Sequence, residues 1–245
     1  MSVLVVGASG ATGRLLVKQL LDRGVNVKAI VRAPDKLPSD LRTHPRLELI
    51  AASLLDLSHA EMAAHVGGCE AIASCLGHNL TLRGLFGKPR LLVTDATRRL
   101  CDTVQATRPA EKVRFVLMNT AGNGNRGVPE RVSFSEKCVI AGIRVLLPPH
   151  RDNENAAEYL RATVGERNDA IEWSVVRPDT LIDETEVTAY DVYPSPTRSA
   201  IFNAGKTSRI NVGHFMADLM TDDSVWNRWK GRMPVIYNRT AAPAT

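Results

Sequence analysis

The residues of this chain best suited to chemistry stand at its front. Gly7, Gly10 and Gly13 punctuate the stretch VLVVGASGATGRLLVKQLLDRG, Val3 to Gly24, with Ser9, Ala11 and Thr12 between them. A glycine turn between a strand and a helix gives a sharp exit, a backbone bare enough for close approach, and a helix N-terminus whose free N–H groups attract anions. Those are the needs of a dinucleotide pyrophosphate, so Gly7, Ser9, Gly10, Ala11, Thr12 and Gly13 are candidate contacts. The spacing, G-x-x-G-x-x-G, departs from the usual G-x-G-x-x-G, and the alternative is a purely structural turn. Arg32 falls 19 positions after Gly13, at the end of the next β-rich run. A carboxylate there would bind the ribose 2′-hydroxyl of NAD, whereas a cation suits the 2′-phosphate of NADP. The plainer reading of Arg32 is a solvated surface arginine.

The elements that must position these residues alternate. Strands are expected at Ser2 to Val6, Val25 to Val31, Arg46 to Ala51, Ala71 to Leu76, Lys112 to Met118, Ile171 to Val176 and Val235 to Tyr237. Helices are expected after Gly13, over Ser58 to Val66 with Ser58 and Glu61 as a capping box, and over Leu92 to Thr107, Ser133 to Leu146, Asp152 to Val164 and about Val212 to Met220. Pro148-Pro149 are read as separating two of them. This alternation predicts an α/β fold, a doubly wound parallel sheet of the Rossmann kind, with right-handed crossovers and ligands beyond the carboxyl ends of the strands. Gly7, Arg32, Ser53, Leu76 and Thr120 fall at that edge, with Cys75, Gly77 and Asn119 beside them. The segment Gly77 to Pro89, with Arg83 and Lys88, is expected to rim the site. Gly122 to Arg131, rich in glycine and asparagine, reads equally as a substrate lid or as a solvated connection. Trp226 and Trp229 read more readily as core packing than as ligand stacking.

With 245 residues, one α/β domain accounts for the whole chain, residues 1–245, the part from about 177 onward forming its substrate side. The net charge of +5 comes from scattered basic residues, and aromatics make up 5% of the chain, which argues against a nucleic-acid partner. Cys69, Cys75, Cys101 and Cys138 form neither C-x-x-C nor a metal-ligand spacing, so reduced thiols and no metal are expected. The apolar run before Gly7 is too short for a signal peptide or membrane span, which gives a cytoplasmic expectation.

The runs VVGASGATGR and VRAPDKLP closely resemble the opening of atypical short-chain dehydrogenase/reductase proteins, a group that includes NmrA-like regulators and flavin or biliverdin reductase-like proteins. Looser likeness extends to MNTAG, ENAAEYL, WSVVRPDTLID and INVGHFMADLM. The resemblance implies a bound NADP(H), with Arg14 beside Arg32 at the ribose phosphate, and places Ser53 and Leu54 at the adenine, where the family usually carries an acid in place of Ser53. It suggests that Arg177-Pro178 turn the backbone of Asp179 to Leu181 toward the nicotinamide, Arg177 being either a contact or structural. The family's catalytic residues are a Ser or Thr and a Tyr-x-x-x-Lys, in which the phenol donates a proton and the lysine tunes it. Thr120 matches the first. The tyrosine position falls on or near His150 and the lysine position on or near Glu154 or Asn155, so both family residues are missing. His150 is either an acid or base in its own right, since imidazole titrates near neutrality, or a surface histidine. The resemblance implies an NADP(H)-dependent oxidoreductase acting on a small quinone, flavin or carbonyl acceptor. The rival is a non-catalytic NADP(H)-sensing regulator with a protein partner, and a nucleotide-sugar epimerase or dehydratase ranks below both.

Overall fold

The computed structural model describes residues 1–78, 89–130 and 133–239. Its strands are β1 (Ser2–Val6), β2 (Asn26–Val31), β3 (Leu47–Ala51), β4 (Ala71–Ser74), β5 (Val113–Met118), β6 (Ile171–Pro178), β7 (Thr180–Ile182), β8 (Tyr190–Tyr193), β9 (Lys206–Ser208) and β10 (Val235–Asn238). Eight of them form one sheet in the order β3-β2-β1-β4-β5-β6-β10-β8, parallel except where β8 runs against β10, while β7 pairs with β9 in a small second sheet. The chain moves outward from β1 to β3, then returns to lay β4 on the other flank of β1. That reversal opens a crevice beyond the carboxyl ends of β1 and β4, the place where such sheets bind ligands.

Period-two alternation decides which side chains face which layer. Val3 and Val5 of β1 enter one core with Leu16 and Leu20, while Leu4 and Val6 enter the other with Met62, Leu100 and Phe115. Both sheet faces are covered by helices, so β1 reads as a continuous apolar run. The first layer is α1 (Ala11–Asp22), α7 (Arg209–Thr221) and α8 (Asp223–Trp229), and Trp226 and Trp229 are buried in it as packing residues. Gly213 lets α7 lie close on α1: a Cβ there would stand 3.1 Å from the Leu16 nitrogen. The second layer holds α3 (His59–Val66), α4 (Leu92–Thr107) and α6 (Pro148–Glu158); α2 (Ser39–Arg42) is short, and α5 (Phe134–Leu146) precedes α6. Ser58 and Glu61 form the expected reciprocal cap.

The largest departure from the expected elements is the start of α6. Pro148 and Pro149 do not hold two helices apart; they occupy the first positions of α6, where a missing N–H costs nothing because the first-turn donors have no intrahelical partner. The break lies one residue earlier, at extended Leu147 (φ −121°, ψ 90°). His150 therefore belongs to the first turn of a helix. The α-helix gives way at Tyr159 to a π-helical turn ending at Val164, and Gly165 closes it at φ 68°.

Candidate functional site

The crevice between β1 and β4 is a cleft of about 500 Å³ bounded by Gly7, Ser9, Gly10, Ala11 and Thr12, by Arg32 and Lys36 on one side, and by Ser53, Leu54, Leu76 and Gly77 over the top. The turn is built for close packing. Gly7 has φ 77° and a Cβ on it would lie 2.5 Å from the Cys75 carbonyl; a Cβ on Gly13 would lie 2.1 Å from the Gly7 oxygen. Gly13 thus serves helix-to-strand contact and is buried. Gly10, the N-cap of α1, carries no side chain to cap it, and the first turn has no acid. The N–H groups and the positive end of α1 are therefore left open toward the cleft.

The neighbouring helix is treated oppositely. Leu91, the N-cap of α4, makes no side-chain cap hydrogen bond, and the carboxylate of Asp152, reaching across from α6, accepts from Val93 N–H at 2.8 Å and Thr94 N–H at 2.9 Å. Asp152 is fully buried, and its Oδ2 also pairs with His78 Nε2 at 2.7 Å. One helix N-terminus at the crevice is closed by the protein's own anion, and the other is open to a ligand's. Cys75 lines the cleft too, and burial pushes its thiol up to about 12, which leaves it an inert apolar wall.

Beyond β5 the chain crosses from this cleft to a second cavity. Met118 and Asn119 line the cleft, while Ala121 and Gly122 line a cavity of about 350 Å³ together with Glu136, Ile140, Arg144 and Arg198. Thr120 lies between them. α6 makes the same crossing, with Asn153 on the cleft and His150 facing Gly122: a Cβ on Gly122 would be 3.6 Å from His150 Cε1 and 3.8 Å from Thr120 Oγ1. Asn119 ties the two elements, donating to the Asn153 carbonyl at 2.9 Å and accepting from Thr120 N–H at 2.9 Å. Behind His150, Glu154 stands 3.5 Å from Nε2, and Arg144 grips Glu154 through Nε and Nη2 at 2.7–2.9 Å. Burial works to raise the Glu154 carboxyl, but the contacts from His150 and Arg144 outweigh it and hold the group down at about 2.

A family model for NAD(P)H-binding proteins matches residues 7–223. The chain belongs to the NAD(P)H-binding family. Over 142 residues it is 30% identical to dihydroflavonol 4-reductase of Zea mays, covering 56% of this chain and 39% of that one. The chain spans well under half the length of the curated relatives it matches. Among solved structures, a short-chain dehydrogenase/reductase from Veillonella parvula in complex with NADP superposes with a TM-score of 0.68 at 15% identity, covering 100% of this chain and 95% of that one. An anaerobillin reductase from Escherichia coli superposes with a TM-score of 0.67 at 16% identity, covering 100% of both chains. This is the fold of the atypical short-chain dehydrogenase/reductases, as the resemblance implied.

In this NAD(P)H-binding protein the structure gathers Gly7, Ser9, Gly10, Ala11, Thr12, Arg32, Ser53, Leu54, Cys75, Leu76, Gly77 and Asn119 around one cleft. Arg14 is exposed on α1 and does not line it. The second cation on the cleft wall is Lys36, in a 3₁₀ turn over Pro34–Lys36, which periodicity could not single out. Of the two roles expected for Arg177, the structure shows the structural one, and as a cofactor contact it is corrected. It is fully buried, donating to the Met233 carbonyl at 2.7 Å and the Asn123 carbonyl at 2.8 Å, and pairing with Glu130 at 2.7 Å. Leu181, a few residues on, does reach the cleft. The same pair bears on Gly122 to Arg131, expected as a substrate lid or a solvated connection: Asn123 is buried, and Glu130, held by Arg177, also accepts from Asn125 N–H at 2.9 Å. Polar bonds anchor a segment that has no apolar anchor. Arg131, and Arg83 and Lys88 of the expected rim, lie outside the described residues. His78 and Asp152 were not singled out from the sequence, because their pairing spans 74 residues and follows no local pattern. No described helix is long and apolar enough to cross a membrane.

Proposed function

We propose that the protein is an NADP(H)-dependent oxidoreductase that reduces a small quinone, flavin or carbonyl acceptor. The observation that carries the reading is the open N-terminus of α1, uncapped and without acids, beside a helix whose N-terminus Asp152 has closed. The pyrophosphate would rest on the Gly10 to Thr12 backbone, and the 2′-phosphate on Arg32 and Lys36, neither of whose side chains has an ion pair or hydrogen bond among the described residues. Leu54 and Ser53 would flank the adenine, and Asn119 and Leu181 the nicotinamide end. Such a cofactor brings two-electron reduction to the site. The second cavity, across Thr120 and Gly122, has the size for a small acceptor, with Ala121, Ile140, Pro196 and Ala200 as its apolar side and Glu136, Arg144 and Arg198 among its charged groups.

The chain's own share of the reaction is to hold the acceptor and manage one proton. Gly122 N–H donates to Thr120 Oγ1 at 3.3 Å, which leaves the hydroxyl proton free to point at an acceptor oxygen. Titration calorimetry should show NADPH binding more tightly than NADH, and a turnover screen with NADPH against quinones, flavins and aldehydes should find an acceptor. Equal affinity for the two cofactors would remove the preference for NADP(H). NADPH binding with no turnover across the panel would favour the NADP(H)-sensing regulator.

A further inference from the structure

We propose that Glu154 and Arg144 are positioning residues for proton delivery by His150, so that an anion behind a cationic acid does the work that a lysine behind a tyrosine does in the family. This rests on the oxidoreductase reading above. On α6 the residues at i and i+4 share a face, which puts Glu154 directly behind the His150 ring. His150 Nε2 is buried and has no partner closer than Glu154 at 3.5 Å. The other ring nitrogen is therefore the one left to meet an acceptor seated between Gly122 and the second cavity. Glu154 is only 10% exposed, and Arg144 holds its carboxylate through three contacts. The charged groups packed on the imidazole among the described residues are Glu154 from its own helix and, through it, Arg144 from α5. From the β5 side the uncharged Gly122 faces it.

The charge logic inverts that of tyrosine and lysine and reaches the same end. A phenol is neutral as an acid, so it needs a cation nearby to give up its proton near neutrality. An imidazolium is cationic as an acid, so it needs an anion nearby to keep its proton until the acceptor oxygen takes it. Glu154, ionised from about pH 2 upward, is a fixed negative charge throughout the working range. A reduced nicotinamide dinucleotide held in the cleft would supply the hydrogen and electron pair, and the charge that would then gather on the acceptor oxygen is what His150 neutralises. The N–H bond of His150 breaks, the O–H bond forms, and solvent returns a proton to the neutral ring. Arg144 lines the second cavity, and its part in this scheme is to fix Glu154.

A double-mutant cycle with one non-kinetic arm tests this. His150→Ala should lower kcat at least about tenfold, the low end of what a positioned acid contributes. Glu154→Gln should lower kcat about tenfold with KM and calorimetric NADPH affinity unchanged, and should cost nothing further in the His150→Ala background. The high-pH limb of the kcat profile should move to lower pH in Glu154→Gln. In the cofactor-free protein, the His150 ring signals followed by NMR should titrate at lower pH in that variant than in wild type. Additive losses in the cycle, or ring signals that titrate alike in both proteins, would overturn the relay. If wild type binds no NADPH the oxidoreductase reading falls instead, and the NMR arm still decides whether Glu154 holds the proton on His150.

Discussion

The turn after β1 and the loop after β5 both leave the carboxyl edge of the sheet, yet different interactions fix them. In the first, backbone meets backbone: the positive φ of Gly7 and the bare Cα of Gly13 let α1 start against β1, and the seven consecutive residues from Gly7 to Gly13 accomplish it. In the second, buried charge does the fixing: Arg177 of β6 holds the Asn123 carbonyl and the Glu130 carboxylate, partners 54 and 47 residues away. A motif made of neighbours survives in the sequence as a pattern, whereas a loop held by distant partners leaves only separate polar residues. The contrast also separates roles: the first region presents an open helix end, and the second shapes a cavity.

The comparison is sharpest where it can be broken hardest. Arg177→Met strands the Glu130 carboxylate, itself only 5% exposed, in the interior, and should cost about 3–5 kcal/mol in urea unfolding. Adding Glu130→Leu should restore most of that, because a buried pair replaced as a whole is close to neutral; failure to recover would mean that the loop depends on more than this pair. Gly13→Ala attacks the first region. Its Cβ would meet the Gly7 oxygen at 2.1 Å, a backbone atom that cannot step aside, so about 1–3 kcal/mol of stability should go. NADPH affinity should fall at least about tenfold with it. An unchanged calorimetric Kd would remove the turn from cofactor binding.

Arg32→Ala should weaken NADPH by roughly 10- to 100-fold and leave NADH nearly unchanged, as expected for one charge-assisted contact of about 1.5–3 kcal/mol. Lys36→Ala should act in the same direction and Arg14→Ala should have almost no effect, since only Lys36 lies on the cleft wall. The reverse order would reinstate Arg14. The smallest effect is on acid stability. The Glu154 carboxyl is depressed from 4.5 to about 2, so its contribution is fully present above about pH 4.5 and is lost as pH falls toward 2. Unfolding free energy of Glu154→Gln should therefore fall less steeply than that of wild type over that window.

Where the sequence was legible, the reason is local. β1 is found at its expected bounds, α4 spans Leu92–Thr107 as its periodicity required, and the Ser58–Glu61 cap needed only a spacing of three. The prolines before His150 misled for a local reason too, because the same residue that ends a helix is tolerated at the start of the next. Lys36 escaped notice because a single 3₁₀ turn carries no periodicity.

The sequence by itself determined the parallel α/β order, the glycine turn and the cation at the end of β2, since these follow from alternation and from what glycine alone permits. Only the tertiary structure decided that Asp152 closes α4 while α1 stays open, that Arg177 is a buried strut, and that Thr120, Gly122, His150, Glu154 and Arg144 share one boundary between two cavities. The physical reason is that a buried polar group must find its partner wherever the fold brings one, and that partner is set by packing across the sheet and leaves no trace in spacing along the chain.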